Sequence, residues 1–177
     1  HEQILHLGGE KEWKYMVQSY LACINYVDLQ IGRFLDELKK RPGNRDTVIV
    51  LTSDHGWNLG EKTHWCKAAI WRNTTRVPFI VVSPGVAKAG LRNNQPISHV
   101  DIYPSLCDFA GIPKPGHLEG RSILPLLKDP SATRDFAFLS YGPQNTAAQS
   151  ERYRYLRYED GSEELYDHQK DPHEWTN

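Results

Sequence analysis

The sequence predicts an α/β protein in which buried strands of a parallel or mixed sheet are flanked by helices, with a small antiparallel sheet at the C-terminal end. Three patterns lead there. Residues 10–41 place apolar side chains at steps of three and four, the period of one helix face. Residues 47–52 and 79–82 are short, continuous apolar runs rich in β-branched residues, the pattern of strands covered on both faces. Residues 153–158 and 164–167 flank Glu159-Asp160-Gly161-Ser162, a turn sequence that suits a hairpin.

The long helix carries its stripe at Trp13, Met16, Val17, Tyr20, Ile24, Val27, Ile31, Phe34, Leu35 and Leu38. Lys39, Lys40 and Arg41 suit the negative end of the helix dipole, and Pro42-Gly43-Asn44 stops the helix. A long helix leading into a buried strand fits a βαβ crossover whose first strand lies upstream of residue 1. Residues 53–66 then form a polar stretch rich in Gly and His, and residues 67–73 a short helical segment. Pro78 opens the second strand and Pro84-Gly85 closes it. Residues 90–95 read as an exposed loop. Asp101 caps a helix over 102–110, which Gly111 and Pro113 end. A short helix or turn over 123–127, a strand over 136–141 and a loop over 142–149 lead to the hairpin.

The 177 residues carry 21 Lys and Arg against 22 Asp and Glu, a formal charge of -1. That balance excludes a basic surface tracking a nucleic-acid backbone as the main theme, and an acidic disordered tail. The mixed aromatic and basic run at 153–158 is accordingly read as a sheet edge and not as a base-stacking surface. Hydrophobic residues make up 39% of the chain, enough for a packed core. No run of 18 apolar residues exists, so no membrane span is expected. Cys23, Cys66 and Cys107 are odd in number and widely spaced, with no disulfide framework. The opening stretch from His1 to Gly9 has no Met, tag or targeting signal, and reads as part of a longer or processed protein.

The chemistry concentrates just past the first strand, at Ser53-Asp54-His55-Gly56. Ligand sites in open α/β sheets lie outside the carboxyl ends of strands. Asp54 and His55 suit a divalent cation or a polar substrate, and Gly56 lets the backbone turn tightly beside it. Within the 14 positions from Asp54 to Lys67 lie two His, two Lys, one Glu, one Asp and two Trp. Trp57 and Trp65 suit a hydrophobic wall, and Glu61, Lys62, His64 and Lys67 suit an anion held near a metal. An ordinary solvated loop with internal ion pairs accounts for the same residues. The residues alone leave both readings open.

Taken together, several motifs resemble type I sulfatases of the alkaline-phosphatase-like superfamily, in the branch similar to iduronate-2-sulfatase and choline-sulfatase. They are Ser53-Asp54-His55-Gly56-Trp57, Leu59-Gly60-Glu61, Trp65 with Lys67, and Thr75-Arg76-Val77-Pro78. Tyr26-Val27-Asp28 with Ile31-Gly32, Ser98-His99-Val100-Asp101-Ile102-Tyr103-Pro104-Ser105-Leu106 and Leu118-Glu119-Gly120-Arg121-Ser122 add to it. So do Glu164-Leu165-Tyr166-Asp167 and Asp171-Pro172 near the end. The resemblance implies an alkaline-phosphatase-like sheet, with residues 1–130 as the C-terminal part of its catalytic domain and 131–177 as a small, incomplete antiparallel subdomain.

The same resemblance assigns roles. Asp54 and His55 match the C-terminal pair of ligands of one active-site Ca2+, although many relatives carry Asn at the position of His55. Calcium prefers hard oxygen ligands, so Asp54 suits it better than His55, whose nitrogen equally suits a substrate oxygen. Lys67 matches the lysine that contacts the sulfate. From their place near Lys67 in the sequence, His64, Trp57 and Trp65 are expected either to bind or admit substrate or to be structural, His64 in a helix-end hydrogen bond and the two Trp as core aromatics roofing the loop. Arg76 is expected either to orient a carboxylate or to lie at the surface. Asp101 with His99, and Glu119 with Arg121, are expected to be architectural pairs.

The departure from the pattern is large. Sulfatases make a formylglycine nucleophile from Cys or Ser in a Cys/Ser-x-Pro/Ala-x-Arg motif, and none of the three cysteines stands in that context. The expectation is therefore the C-terminal portion of a sulfatase, inactive alone. The N-terminal portion of the same protein would supply the nucleophile and the remaining metal ligands. The whole enzyme would cleave a sulfate ester on a small molecule or saccharide, in the periplasm, the lysosome or outside the cell. The rivals are a metal-dependent phosphohydrolase or phosphomutase of the same superfamily, a non-catalytic binder of sulfated carbohydrate or other anions, and a structural fragment without ligand.

Overall fold

Helix α1 (Glu2–Lys39) opens the computed structural model, which describes residues 2–86 and 89–177. The helix breaks at Gly9 (φ 61°, ψ -149°), a conformation that only glycine adopts without strain, and its regular part begins where the apolar stripe begins. At the other end the Asn44 amide donates to the Lys39 carbonyl at 2.5 Å, and Gly43 turns the chain away at φ 77°. Trp13 donates its indole N–H to the Leu59 carbonyl at 2.7 Å, and Tyr20 stacks on Trp57 with ring centres 6.2 Å apart. The first half of α1 is thereby docked on the loop beyond the first strand. Only part of the stripe is covered: Trp13, Val17, Tyr20, Ile31, Leu35 and Leu38 are half-buried, whereas Ile24, Val27 and Phe34 are exposed.

After α1 come β1 (Ile49–Thr52), the two-residue strands β2 (Asn58–Leu59) and β3 (Trp65–Cys66), α2 (Arg72–Thr75) and β4 (Phe79–Val82). β1 and β4 pair antiparallel, Ile49 opposite Val82 and Thr52 opposite Phe79. β2 and β3 form a second antiparallel pair. This overturns the expected parallel or mixed sheet: among the described residues every sheet is antiparallel. The reason is visible in the register. The chain leaves β1 at Thr52 and β4 starts directly opposite, so residues 53–78 return to the same end of the sheet instead of crossing over it. Continuous apolar runs carry no information on strand direction, and the expected cover on both faces is missing in β4, where Ile80 and Val82 are exposed.

Helix α3 (Ile102–Ala110) follows a 3-10 turn that the buried Asp101 carboxylate organises. That carboxylate accepts the backbone N–H groups of Ser98 (2.9 Å) and Arg121 (2.7 Å) and pairs with Arg134. His99 is not its partner; its Nε2 lies 3.5 Å from the Thr52 hydroxyl. Arg121 likewise turns to the Phe136 carbonyl, at 3.2 Å. Helix α4 (Leu124–Lys128) has Pro125 in its first turn, where the missing N–H costs nothing.

The C-terminal sheet runs in the order β5 (Ala137–Tyr141), β6 (Asn145–Gln149), β7 (Tyr153–Arg157), β8 (Glu163–Asp167), all antiparallel. The small antiparallel layer forms as expected, but 142–149 is not a loop. Gly142 (φ 66°) makes a tight turn, and Asn145 to Gln149 become a central strand between β5 and β7. The inward residues Ala147, Leu156 and Tyr166 close on Ile70, with Trp71, Leu139 and Tyr158 around them. The sheet is thus packed on the segment that joins β3 to α2. No described helix is long and apolar enough to cross a membrane.

Candidate functional site

The loop that leaves β1 is held from below. The Gly56 N–H donates to the Thr74 carbonyl at 2.8 Å and the Trp57 N–H to the Asn73 carbonyl at 3.0 Å. A Cβ on Gly56 would stand 2.0 Å from the Asn73 oxygen, so this glycine is demanded by close backbone approach. Asp54 and His55 project from this fixed base. The Asp54 carboxylate is largely exposed and accepts the His55 backbone N–H at 3.0 Å.

The His55 ring nitrogen Nδ1 lies 2.8 Å from the Gly56 carbonyl. A carbonyl only accepts, so Nδ1 carries a proton and the ring is oriented. Nε2 then faces Asp54 Oδ2 at 3.3 Å. Partial desolvation works against ionisation of Asp54. The neighbouring His55 ring, the backbone N–H groups of His55 and Asp54, and the more distant Lys67 ammonium outweigh it and hold the carboxyl below its ordinary value.

Asp54, His55 and Lys67 line one open cleft of about 1740 Å³, together with Arg72, Arg76 and His99. Lys67 is exposed, and no carboxylate lies within 4.0 Å of it or of Arg76 among the described residues. Arg72 and Arg76 are one helical turn apart. Burial first, and Arg76 second, push the Arg72 guanidinium below its ordinary value, with Glu174 opposing.

The other predicted site residues lie off this cleft. Trp57 packs between Tyr20 and His55, 6.2 Å from each ring centre, as a support behind the imidazole. His64 stands edge-on to Trp71 at 5.8 Å. Trp65 sits in β3 beside Leu59. As to a metal, the Asp54 oxygens and His55 Nε2 fit part of a coordination sphere, and no group of three or more His, Cys, Asp or Glu among the described residues completes it.

Sequence reasoning missed the buried support of the cleft. Arg154 and Glu174 are almost wholly buried and pair at 3.6 Å. Arg154 donates to the Ile70 carbonyl (2.5 Å) and the Thr75 hydroxyl (2.8 Å). Glu174 accepts the Arg72 backbone N–H at 2.8 Å and meets His168 Nε2 at 2.7 Å. A charged residue in the middle of a strand whose neighbours are aromatic was the one available signal, and it points equally well to solvent.

A family model described as "Sulfatase" matches residues 6–112, and one described as "N-sulphoglucosamine sulphohydrolase, C-terminal" matches residues 60–177. A sulfatase of Formosa agariphila is 40% identical over 94% of the chain, which covers 33% of that protein. A protein solved in complex with its substrate D-glucosamine-2-N,6-O-disulfate is 30% identical with a TM-score of 0.79, over 94% of this chain and 36% of that one. The phosphonate monoester hydrolase of Agrobacterium radiobacter is 30% identical with a TM-score of 0.77, over 87% of this chain and 35% of that one. The chain spans about a third of the length of these relatives.

Proposed function

We propose that this chain, which belongs to the sulfatase family, is the C-terminal part of an enzyme that hydrolyses a sulfate ester on a sugar. The observation that supports the reading is that Asp54 and His55, just past β1, line the same open cleft as Lys67, whose ammonium is near enough to help hold the Asp54 carboxyl down. In this reading Asp54, with His55 beside it, holds one side of a calcium ion, which when bound draws charge from the sulfate oxygens. Lys67 gives an ammonium to the sulfate as charge moves to the leaving oxygen. The Gly56 carbonyl fixes the His55 tautomer, so that Nε2 is left for the cation or a substrate hydroxyl. Trp57 keeps that ring in place from behind.

The nucleophile, a formylglycine, and the other metal ligands belong in this reading to the N-terminal part of the same protein. Its contacts would also cover the exposed apolar residues of α1 and β4, among them Leu21, Ile24, Phe34 and Ile80. The 177 residues alone are accordingly inactive. A disulfated glucosamine is the substrate of one solved relative and makes a sulfated saccharide the first substrate class to assay. An exported compartment, whether periplasm, lysosome or extracellular space, goes with the same reading.

The likeness to a phosphonate monoester hydrolase supports a second reading, hydrolysis of phosphorus esters at the same cleft. The test is to express the longer protein and offer it an aryl sulfate, a sulfated glucosamine and an aryl phosphonate monoester. Preferential release of sulfate supports the first reading. Preferential cleavage of the phosphonate replaces it with the second. Saccharide binding without turnover of any of the three would make the protein a non-catalytic binder.

A further inference from the structure

The segment after β8 folds back against the start of α2. Glu174 adopts φ 60°, a left-handed conformation costly for a residue with a side chain, and is 1% exposed. A turn closed by Asp171, which accepts the Thr176 N–H at 2.7 Å, holds the tail in that shape. The result is a carboxylate aimed inward at the start of α2. One oxygen takes the Arg72 N–H, and the other meets His168 and the Arg154 guanidinium. From the sheet side, Arg154 grips Ile70 and Thr75, the two ends of the same short segment. Arg72 adds a bond from its own guanidinium to the Pro172 carbonyl at 2.8 Å.

That segment is the common support of the cleft. Lys67 precedes it by three residues. The loop carrying Asp54 and His55 hangs on it through the Gly56–Thr74 and Trp57–Asn73 bonds. We propose that Glu174, acting with Arg154 through the backbone of residues 70–75, is a positioning residue that sets Lys67 and the Asp54–His55 loop relative to each other. The four-stranded sheet is then the alignment frame of the cleft and not an appendage. The inference rests on the reading of Lys67 and Asp54 as site residues. Its structural half, the hold on residues 56–57 and 72, does not depend on the reaction.

The test uses the longer protein with Glu174→Ala, Glu174→Gln, and Arg152→Ala as a control. Arg152, next to β7, pairs with Asp167 of β8 and has no hydrogen bond or ion pair to residues 56–75 among the described residues. In Glu174→Ala the amides of Gly56, Trp57 and Arg72 should exchange hydrogen at least about tenfold faster, and kcat should fall by about tenfold or more with a smaller change in KM. Glu174→Gln keeps an oxygen for the Arg72 N–H and loses the charge, so it should fall between; it is the variant to read if Glu174→Ala does not fold. Arg152→Ala should lower Tm and leave both readouts unchanged. Unchanged exchange at the three amides overturns the proposal. So does a loss of kcat that Arg152→Ala reproduces at equal loss of Tm. A wild-type protein without sulfatase activity would defeat the proposed function, and the exchange data would still decide the role of Glu174.

Discussion

Gly56 lies so close to Asn73 that a Cβ would come within 2.0 Å of the Asn73 carbonyl oxygen, and the backbone of this pair joins the site loop to the segment beneath it. Gly56→Ala must break the Gly56–Thr74 and Trp57–Asn73 hydrogen bonds or displace α2. The expected loss of stability is about 3 kcal/mol, from overpacking and two disrupted bonds. Gly32→Ala is the control. It lies exposed in α1 with nothing within 4 Å of its added Cβ, and should stabilise by about 0.5–1 kcal/mol. Denaturant midpoints of the two variants should move in opposite directions; equal shifts would show that the contact is soft.

Lys67→Ala separates chemistry from folding. The side chain is exposed and has no carboxylate within 4.0 Å among the described residues, so its removal should change stability by less than about 0.5 kcal/mol. A missing cation at the developing charge should lower kcat of the longer protein by about 100-fold or more. Aryl sulfate turnover and a thermal melt on the same preparation check this. Unchanged turnover would remove Lys67 from the mechanism.

What was legible in the sequence depended on local chemistry. Helix α3 could be read because its apolar spacing and its Gly111 stop lie within it or next to it, although Asp101 does not cap it and its carboxylate instead takes the Ser98 and Arg121 N–H groups. The Ser53-Asp54-His55-Gly56 loop could be read because a polar, glycine-bearing turn follows a β-branched run. The direction of the β1–β4 pairing could not, because it is set by where residues 53–78 lead the chain and not by the strands themselves. β6 escaped notice because Asn145, Ala147 and Ala148 have little strand preference and Thr146 alone does not announce a strand; pairing on both sides makes 145–149 one. The Arg154–Glu174 support joins residues to Ile70 and Arg72, 84 and 102 positions away, and no local pattern announces such a contact. Gly56 was legible as a needed glycine, but for a tight turn; the actual reason is its close approach to Asn73.

Asp54 and His55 should part company on metal binding. Asp54 offers hard oxygens to a calcium ion, whereas His55 offers a nitrogen that calcium binds poorly. In the longer protein Asp54→Ala should weaken calcium affinity by about tenfold or more, and His55→Ala should weaken it less while still reducing turnover. Calorimetric titration of chelator-treated protein, with turnover measured before and after calcium is restored, makes the comparison. Equal losses of affinity would make His55 a ligand of full standing.

The Arg152–Asp167 pair gives the sheet a pH signature. Arg152 donates Nε–H to Oδ1 at 2.9 Å and Nη2–H to Oδ2 of Asp167, and the Gln169 N–H adds a bond at 3.1 Å. The Arg152 guanidinium above all, with Gln169 and Lys170 helping against some desolvation, holds the Asp167 carboxyl down at about 2. An unfolded chain releases that proton near about 3.9. Between these values the unfolded state binds more protons than the native state, so stability rises with pH there. The contribution is complete above about pH 4 and is lost as pH falls through the folded value near 2. Asp167→Asn should therefore lie below the wild type at neutral pH and converge on it as pH falls through that window. Unfolding midpoints taken at steps from pH 6 to pH 2 test the convergence. Parallel curves would mean that Arg152 stabilises the sheet by packing alone.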